Sequence, residues 1–96
     1  MKRMEDFSKV IGVVSELTEV TQQDILGKSK VPEVVDARWI VVCLMAEKGY
    51  TARQIATVML CSARTINHIL ASVDKRIKYS CRGLRNTLAI ARQQLQ

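Results

Sequence analysis

Five side chains that can hydrogen-bond to nucleic-acid bases and phosphates lie close together in the second half of the chain. They are Ser62, Arg64, Thr65, Asn67 and His68. Arginine can pair with the acceptor edge of guanine, asparagine with adenine, and threonine with a thymine methyl group or a phosphate. The imidazole can meet a base acceptor or a phosphate. This pattern favours recognition of duplex DNA, in which one good bidentate pair supplies about 1–3 kcal/mol of base discrimination.

Simpler interpretations of the same side chains stay open. The group at 62–68 can be the solvated side of an amphipathic helix, and His68 can be a plain surface histidine. A catalytic role for His68 is not supported, because no Ser, Cys or acid lies at a helical spacing that would give it a nucleophile and an orienting partner. We therefore expect no enzyme activity and no catalytic residue.

The elements that position this group are two short helices joined by a tight turn. Thr51 and Gln54 form a Thr-x-x-Gln capping box that opens the first of them. Leu60 and Cys61 are predicted to make the turn, and Ser62 can cap the second helix. The residues predicted to face inward recur at helical steps: Ile55, Ala56, Met59, Ile66, Ile69, Leu70, Val73 and Ile77. Thr51, Arg53 and Ser62 then lie at helix starts, where they can hold DNA phosphates.

Three earlier helices are predicted from the same periodicity. The first covers 6–17, and a short second helix starts near Thr21 and ends at Gly27. A basic loop leads to a third helix at about 33–48, with Pro32 in its first turn. This helix is apolar nearly all round and is therefore expected at the centre of the molecule.

A last helix is predicted at about 80–95. Its inward row is Leu84, Leu88, Ala91 and Leu95. The predicted fold is all-α: a compact bundle of about six helices containing a helix-turn-helix. With 96 residues and no linker or repeat, we expect one domain, 1–96.

The charge of the chain is asymmetric. Residues 51–96 contain eight Lys and Arg and one acid, whereas residues 1–50 contain seven basic and eight acidic residues. The whole net charge of +6 thus comes from the half that carries the predicted helix-turn-helix. This distribution favours a polyanionic partner. Whether the arginines of the last helix contact DNA or only solvate that helix stays open, with solvation favoured.

Composition excludes several other classes. The four aromatic residues are too few for a surface that stacks single-stranded bases. The three cysteines are widely spaced and lack a CxxC pattern or a His partner, so neither disulfides nor a metal site is expected. No apolar run reaches the roughly 18–20 residues of a membrane span, and no signal peptide is recognisable. We expect a cytoplasmic protein that binds no cofactor, nucleotide or membrane.

Three phrases follow one another in a distinctive order: DILGKSK at 24–30, DARWIVV at 36–42 and TARQIATVML at 51–60. In order and spacing they resemble the phrases DILSKSR, ARQIAMYL and SLPEIGRAFG of the C-terminal duplex-DNA-binding domain of the bacterial replication initiator DnaA. That domain has a Trp-repressor-like helical fold. The resemblance covers roughly 10–77. It implies that Arg38 enters a minor groove and that Lys28 and Lys30 contact phosphates.

The chain departs from that family where base recognition resides. The signature GGRDHSTVLHA is replaced by CSARTINH at 61–68, and aligning Thr65, Ile66 and His68 with it requires one inserted residue. The signature's Asp and first His have no counterpart, so the initiator's own box sequence is not the expected target. Trp39 replaces a polar residue, and packing against the core is its favoured role. No GxxxxGK[ST] loop is present, so the initiator's ATPase is absent.

The sequence therefore predicts a bacterial or phage double-stranded-DNA-binding protein. Its expected role is transcriptional or replication-linked regulation, with sequence specificity that requires a homodimer or a partner protein. The alternative is a helical protein-interaction module that has lost DNA reading. The missing signature favours that alternative.

Overall fold

The described part of the chain consists of helices joined by short turns and loops. The computed structural model describes residues 2–27, 29–79 and 82–95; the side chains at 2, 73–79 and 82–84 lie outside the description. In these residues the chain forms six α-helices and no strand. The helices are α1 (Lys2–Thr18), α2 (Gln22–Leu26), α3 (Pro32–Glu47), α4 (Ala52–Met59), α5 (Ala63–Tyr79) and α6 (Arg82–Leu95). The predicted all-α class is confirmed.

Helix α3 lies at the centre of the molecule and packs against each of the other five helices. Its side chains point into the core on several faces, and Val41, Val42 and Met45 are fully buried. A helix with apolar residues nearly all round can be stable only when several neighbours cover it. The central position predicted for this helix is therefore confirmed.

The helix ends follow local hydrogen bonding. Pro32 occupies the first turn of α3, where its missing N–H costs nothing. The Thr21 hydroxyl accepts from the Asp24 amide at 3.1 Å and caps α2. Helix α1 begins at residue 2, four residues earlier than predicted. Of the two predicted core residues of α2, Ile25 is fully buried, whereas Leu26 is half-buried against the core.

Helix α6 packs on α1 and α3. Leu88 and Ala91 are buried, as the inward row predicts, and Leu95 packs at the edge of the core. Trp39 packs partly buried against the core, the role favoured for it from the sequence. Three side chains of the predicted inward rows lie outside the description: Val73, Ile77 and Leu84.

Over the described ranges, no helix is long and apolar enough to reach across a bilayer.

Candidate nucleic-acid interface

The unit formed by α4, a three-residue turn and α5 carries most of the predicted contact residues. The Thr51 hydroxyl accepts from the Gln54 amide at 3.2 Å, and the Gln54 side chain accepts from the Thr51 amide at 2.9 Å. Both halves of the predicted capping box are therefore present. Helix α4 lasts eight residues and packs closely on α5.

The turn between the two helices depends on Leu60. Its backbone lies in the left-handed region, with φ of 58° and ψ of 40°, and its N–H donates to the Ala56 carbonyl. The following amide, that of Cys61, also donates to the Ala56 carbonyl, at 3.1 Å. These bonds end α4 and turn the chain sharply towards α5. Burial of Leu60 contributes little stability, because the residue is 77% exposed.

Ser62 caps α5. Its Oγ accepts from the Thr65 amide at 3.2 Å and lies 3.0 Å from the Thr65 hydroxyl. Ser62 and Thr65 are exposed, so this end of a 17-residue helix faces solvent. The free amides and the positive end of the helix dipole at such an end attract anions.

The first two turns of α5 separate an apolar side from a polar side. Ile66 and Ile69 are buried in the core, whereas Arg64, Asn67 and His68 are exposed. At about 100° per residue, these three polar positions cluster on the face opposite the buried pair. The expectation that Arg64, Thr65, Asn67 and His68 all lie outside the core is confirmed, since each is exposed. Their contact with DNA remains a prediction.

Thr65 lies on a different side of α5. It lines a cavity of about 450 Å³ between α5, the turn and the end of α2. Arg38 and Cys61 line the same cavity, over a floor that includes Met59 and Ile66. Thr65 is thus separated from the Arg64, Asn67 and His68 face.

Arg53 and Thr51 lie exposed at the start of α4. Among the described residues, neither Arg53 nor Arg64 makes an ion pair, which leaves both positive charges available to a partner. Arg92 on α6 differs, because it holds Glu47 with an Nη2–Oε1 distance of 2.7 Å. This pairing raises the pKa of Arg92 and neutralises its charge locally.

Arg38 is turned towards the loop between α2 and α3. Its Nε donates to the Ile25 carbonyl at 3.0 Å, Nη1 to the Ser29 carbonyl at 3.3 Å, and Nη2 to the Gly27 carbonyl at 2.7 Å. Lys30 is exposed in this loop, and Lys28 lies outside the described residues. The minor-groove role implied for Arg38 remains a prediction, but in this conformation three of its five N–H donors bind backbone carbonyls of α2 and the loop.

The cavity is also lined by a thiol, that of Cys61. Partial burial raises the pKa of the Cys61 thiol, and the Arg38 charge only partly offsets this effect. The thiol is therefore protonated at neutral pH and is a weak nucleophile. Within the part of the chain that the structure describes, no group of three His, Cys, Asp or Glu side chains could hold a metal ion.

Sequence reasoning missed two features of this region. The Arg38 bonds reach residues 9 to 13 positions earlier in the chain, a separation that helical periodicity does not address. The left-handed Leu60 was placed in the turn, but its conformation was not predicted, because Gly or Asn is the usual signal for such a backbone.

The fold and the exposed polar residues define an all-α protein with a solvent-facing, partly basic surface on α4 and α5. In comparisons with known proteins, neither a family model nor a curated protein matches the chain. The resemblance to the DnaA C-terminal domain therefore remains a prediction from the residues.

Proposed function

We propose that this protein binds double-stranded DNA, with α4, the turn and α5 acting as a helix-turn-helix. The observation that carries the proposal is the polar face of α5, on which Arg64, Asn67 and His68 are exposed opposite the buried Ile66 and Ile69. The major groove of B-DNA, about 12 Å wide, admits one α-helix and presents distinct donors and acceptors for each base pair.

Base recognition is assigned to the polar face of α5. Arg64 pairs with guanine and Asn67 with adenine, while His68 meets a base acceptor or a phosphate. Arg64 carries the largest share, since a guanidinium makes two parallel bonds to one base edge. Thr65 contacts a phosphate of the DNA backbone from the side of α5 that faces the turn.

Backbone contacts are assigned to the helix starts and to the basic loop. Arg53 and Thr51 lie at the start of α4, and Ser62 caps α5. Such contacts fix the register of a protein on the duplex without reading its sequence. The Thr51 and Ser62 oxygens accept bonds from backbone amides, so each hydroxyl would reach a phosphate by donating its hydrogen. For Ser62 this requires that Thr65 be the donor in the pair formed by their two hydroxyls. Lys28 and Lys30 supply charge from the loop.

The proposed role is regulation of transcription or of a replication-linked step by occupancy of a DNA site, in the cytoplasm of a bacterial or phage-infected cell. One such unit contacts a short site, so specificity comes from a homodimer or from a partner protein.

A charge-matched pair of variants tests the proposal. Arg64→Ala and Arg85→Ala each remove one exposed arginine, the first from α5 and the second from α6. Binding to a fluorescent duplex selected from random sequences is measured by anisotropy. We expect Arg64→Ala to weaken binding by about 1–3 kcal/mol and Arg85→Ala to have a much smaller effect. Equal losses would show that only total charge matters and would contradict the assigned interface.

One observation favours the alternative of a protein-interaction module. Leu60 is 77% exposed, and Val31 in the α2–α3 loop is 51% exposed, so both apolar side chains are accessible to a partner. An apolar interface would depend on such side chains and would be far less sensitive to salt than DNA binding. Leu60→Ala would weaken a protein complex but leave duplex affinity nearly unchanged.

A further inference from the structure

The guanidinium of Arg38 binds one backbone carbonyl in the last turn of α2 and two in the α2–α3 loop. The three nitrogens of Arg38 donate to the carbonyls of Ile25, Gly27 and Ser29, at distances between 2.7 and 3.3 Å. Arg38 lies in the second turn of α3, so its own backbone is held by the central helix of the core. The loop is thereby tied to the most buried element of the fold.

Outside residue 28, which the structure does not describe, two amides of the loop backbone also donate hydrogen bonds. Gly27 and Val31 have extended backbone conformations, and Val31 precedes Pro32 without a side-chain cap. The Val31 amide donates to the Ser29 hydroxyl at 3.2 Å, and the Gly27 amide donates to the Asp24 carbonyl at 3.1 Å. Extended segments lack the helical bonds that would make them rigid by themselves, so the carbonyl contacts of Arg38 are a substantial constraint on the described part of the loop.

We propose that Arg38 is a positioning residue, which holds the basic loop in the conformation that presents Lys30 to a DNA phosphate. This inference rests on the proposed function. Entry of the Arg38 guanidinium into a groove would break three hydrogen bonds to carbonyls and release the loop. If those bonds are retained, the loop that carries Lys30 is already ordered before DNA binds. The loop then loses less conformational entropy on binding.

The planar fork of arginine is essential to this role. A lysine at residue 38 keeps the positive charge and most of the side-chain length, but its single nitrogen cannot reach three separated carbonyls in one geometry. A direct phosphate contact, in contrast, tolerates lysine well, because lysine binds phosphate as a point charge. Arg38→Lys therefore separates positioning from direct contact.

The first test uses the protein without DNA. Amide hydrogen exchange is measured at Gly27 and Val31 in the unsubstituted protein, in Arg38→Lys and in Arg53→Lys as a control for the substitution. We expect exchange at these two amides to rise about tenfold in Arg38→Lys alone, while the core of α3 keeps its protection. Unchanged exchange at both amides would overturn the inference.

The second test measures coupling between Arg38 and Lys30. Duplex affinity is compared for Lys30→Ala, Arg38→Lys and the double variant. If Arg38 positions the loop, Lys30→Ala loses severalfold in affinity in the normal background and clearly less when residue 38 is lysine. Additive losses would overturn the role of Arg38 while leaving DNA binding intact. If the unsubstituted protein binds no duplex, the proposed function is wrong. The proposed contact between Lys30 and a phosphate is then wrong as well.

Discussion

The Tyr50 hydroxyl donates a 2.5 Å hydrogen bond to a carboxylate oxygen of Asp6. Tyr50 lies just after α3, and Asp6 lies in α1, 44 residues earlier. The bond therefore joins the segment that leads into α4 to the first helix. The same bond is the main reason why the pKa of Tyr50 is raised, with burial adding to the effect.

Removing the Tyr50 hydroxyl should lower stability in a pH-dependent way. The folded protein holds the phenol proton more tightly than the unfolded chain does, so the contribution is fully present below the ordinary tyrosine pKa of about 10. It is lost as pH rises through the raised pKa of the folded state. We expect Tyr50→Phe to unfold at lower urea than the unsubstituted protein at neutral pH.

The difference between the two proteins should shrink above about pH 10. Comparing them at each pH cancels the titration of the lysines, which are common to both. If the difference in unfolding free energy stays constant from neutral to alkaline pH, the Tyr50–Asp6 bond does not couple stability to ionisation of the phenol as predicted.

Ser62 offers a test that separates helix capping from contact with DNA. Asp and Asn cap helices about as well as Ser does, whereas Ser62→Ala should cost about 1 kcal/mol of stability. Ser62→Asp and Ser62→Asn should therefore both stay folded, as measured by urea unfolding. Only the aspartate places a negative charge where a phosphate is expected.

Duplex affinity should fall severalfold more in Ser62→Asp than in Ser62→Asn, because like charges repel at short range. Equal affinities of the two variants would place the start of α5 away from the DNA backbone.

Leu60→Gly should stabilise the fold. The left-handed backbone of Leu60 costs a residue with a Cβ roughly 1–2 kcal/mol, and glycine adopts it freely. Since the unfolded glycine chain is also more flexible, we expect a net gain of about 0.5–1 kcal/mol in the free energy of unfolding. Leu60→Ala is the matched control, because it removes the exposed side chain and keeps the strain. A gain of the same size in both variants would contradict this explanation.

Arg92→Gln should change stability slightly and DNA binding little. The Arg92–Glu47 pair is nearly half exposed on both sides, and exposed pairs contribute about 0.2–1 kcal/mol. Urea unfolding and duplex anisotropy measure the two effects on one preparation. A large loss of affinity with unchanged stability would place α6 on the DNA and revise the favoured solvating role of its arginines.

Local signals in the sequence predict the helices well. The Thr51 capping box, the Ser62 cap and Pro32 in the first turn of α3 each depend on residues within one turn of the chain, and each is present. The buried position of Ile66 and Ile69 follows from helical spacing, and so does the exposure of Arg64.

Long-range side-chain contacts could not be predicted in the same way. Arg38 and Arg92 both look like free basic residues in the sequence, yet one holds a loop and the other pairs with Glu47, 45 residues earlier in the chain. Such bonds depend on how helices pack, which periodicity does not specify. Arg38 keeps its charge in these bonds but its direction is fixed, whereas the positive charge of Arg92 is offset by Glu47.

The salt dependence of binding to random-sequence duplex tests the central claim most directly. Fluorescent duplex is titrated with the protein at several salt concentrations. Three to five phosphate contacts predict that the logarithm of the binding constant falls with the logarithm of salt concentration at a slope of roughly −3 to −4.5. Absence of binding at low salt, or binding with a slope near zero, would contradict the proposal and favour a protein partner.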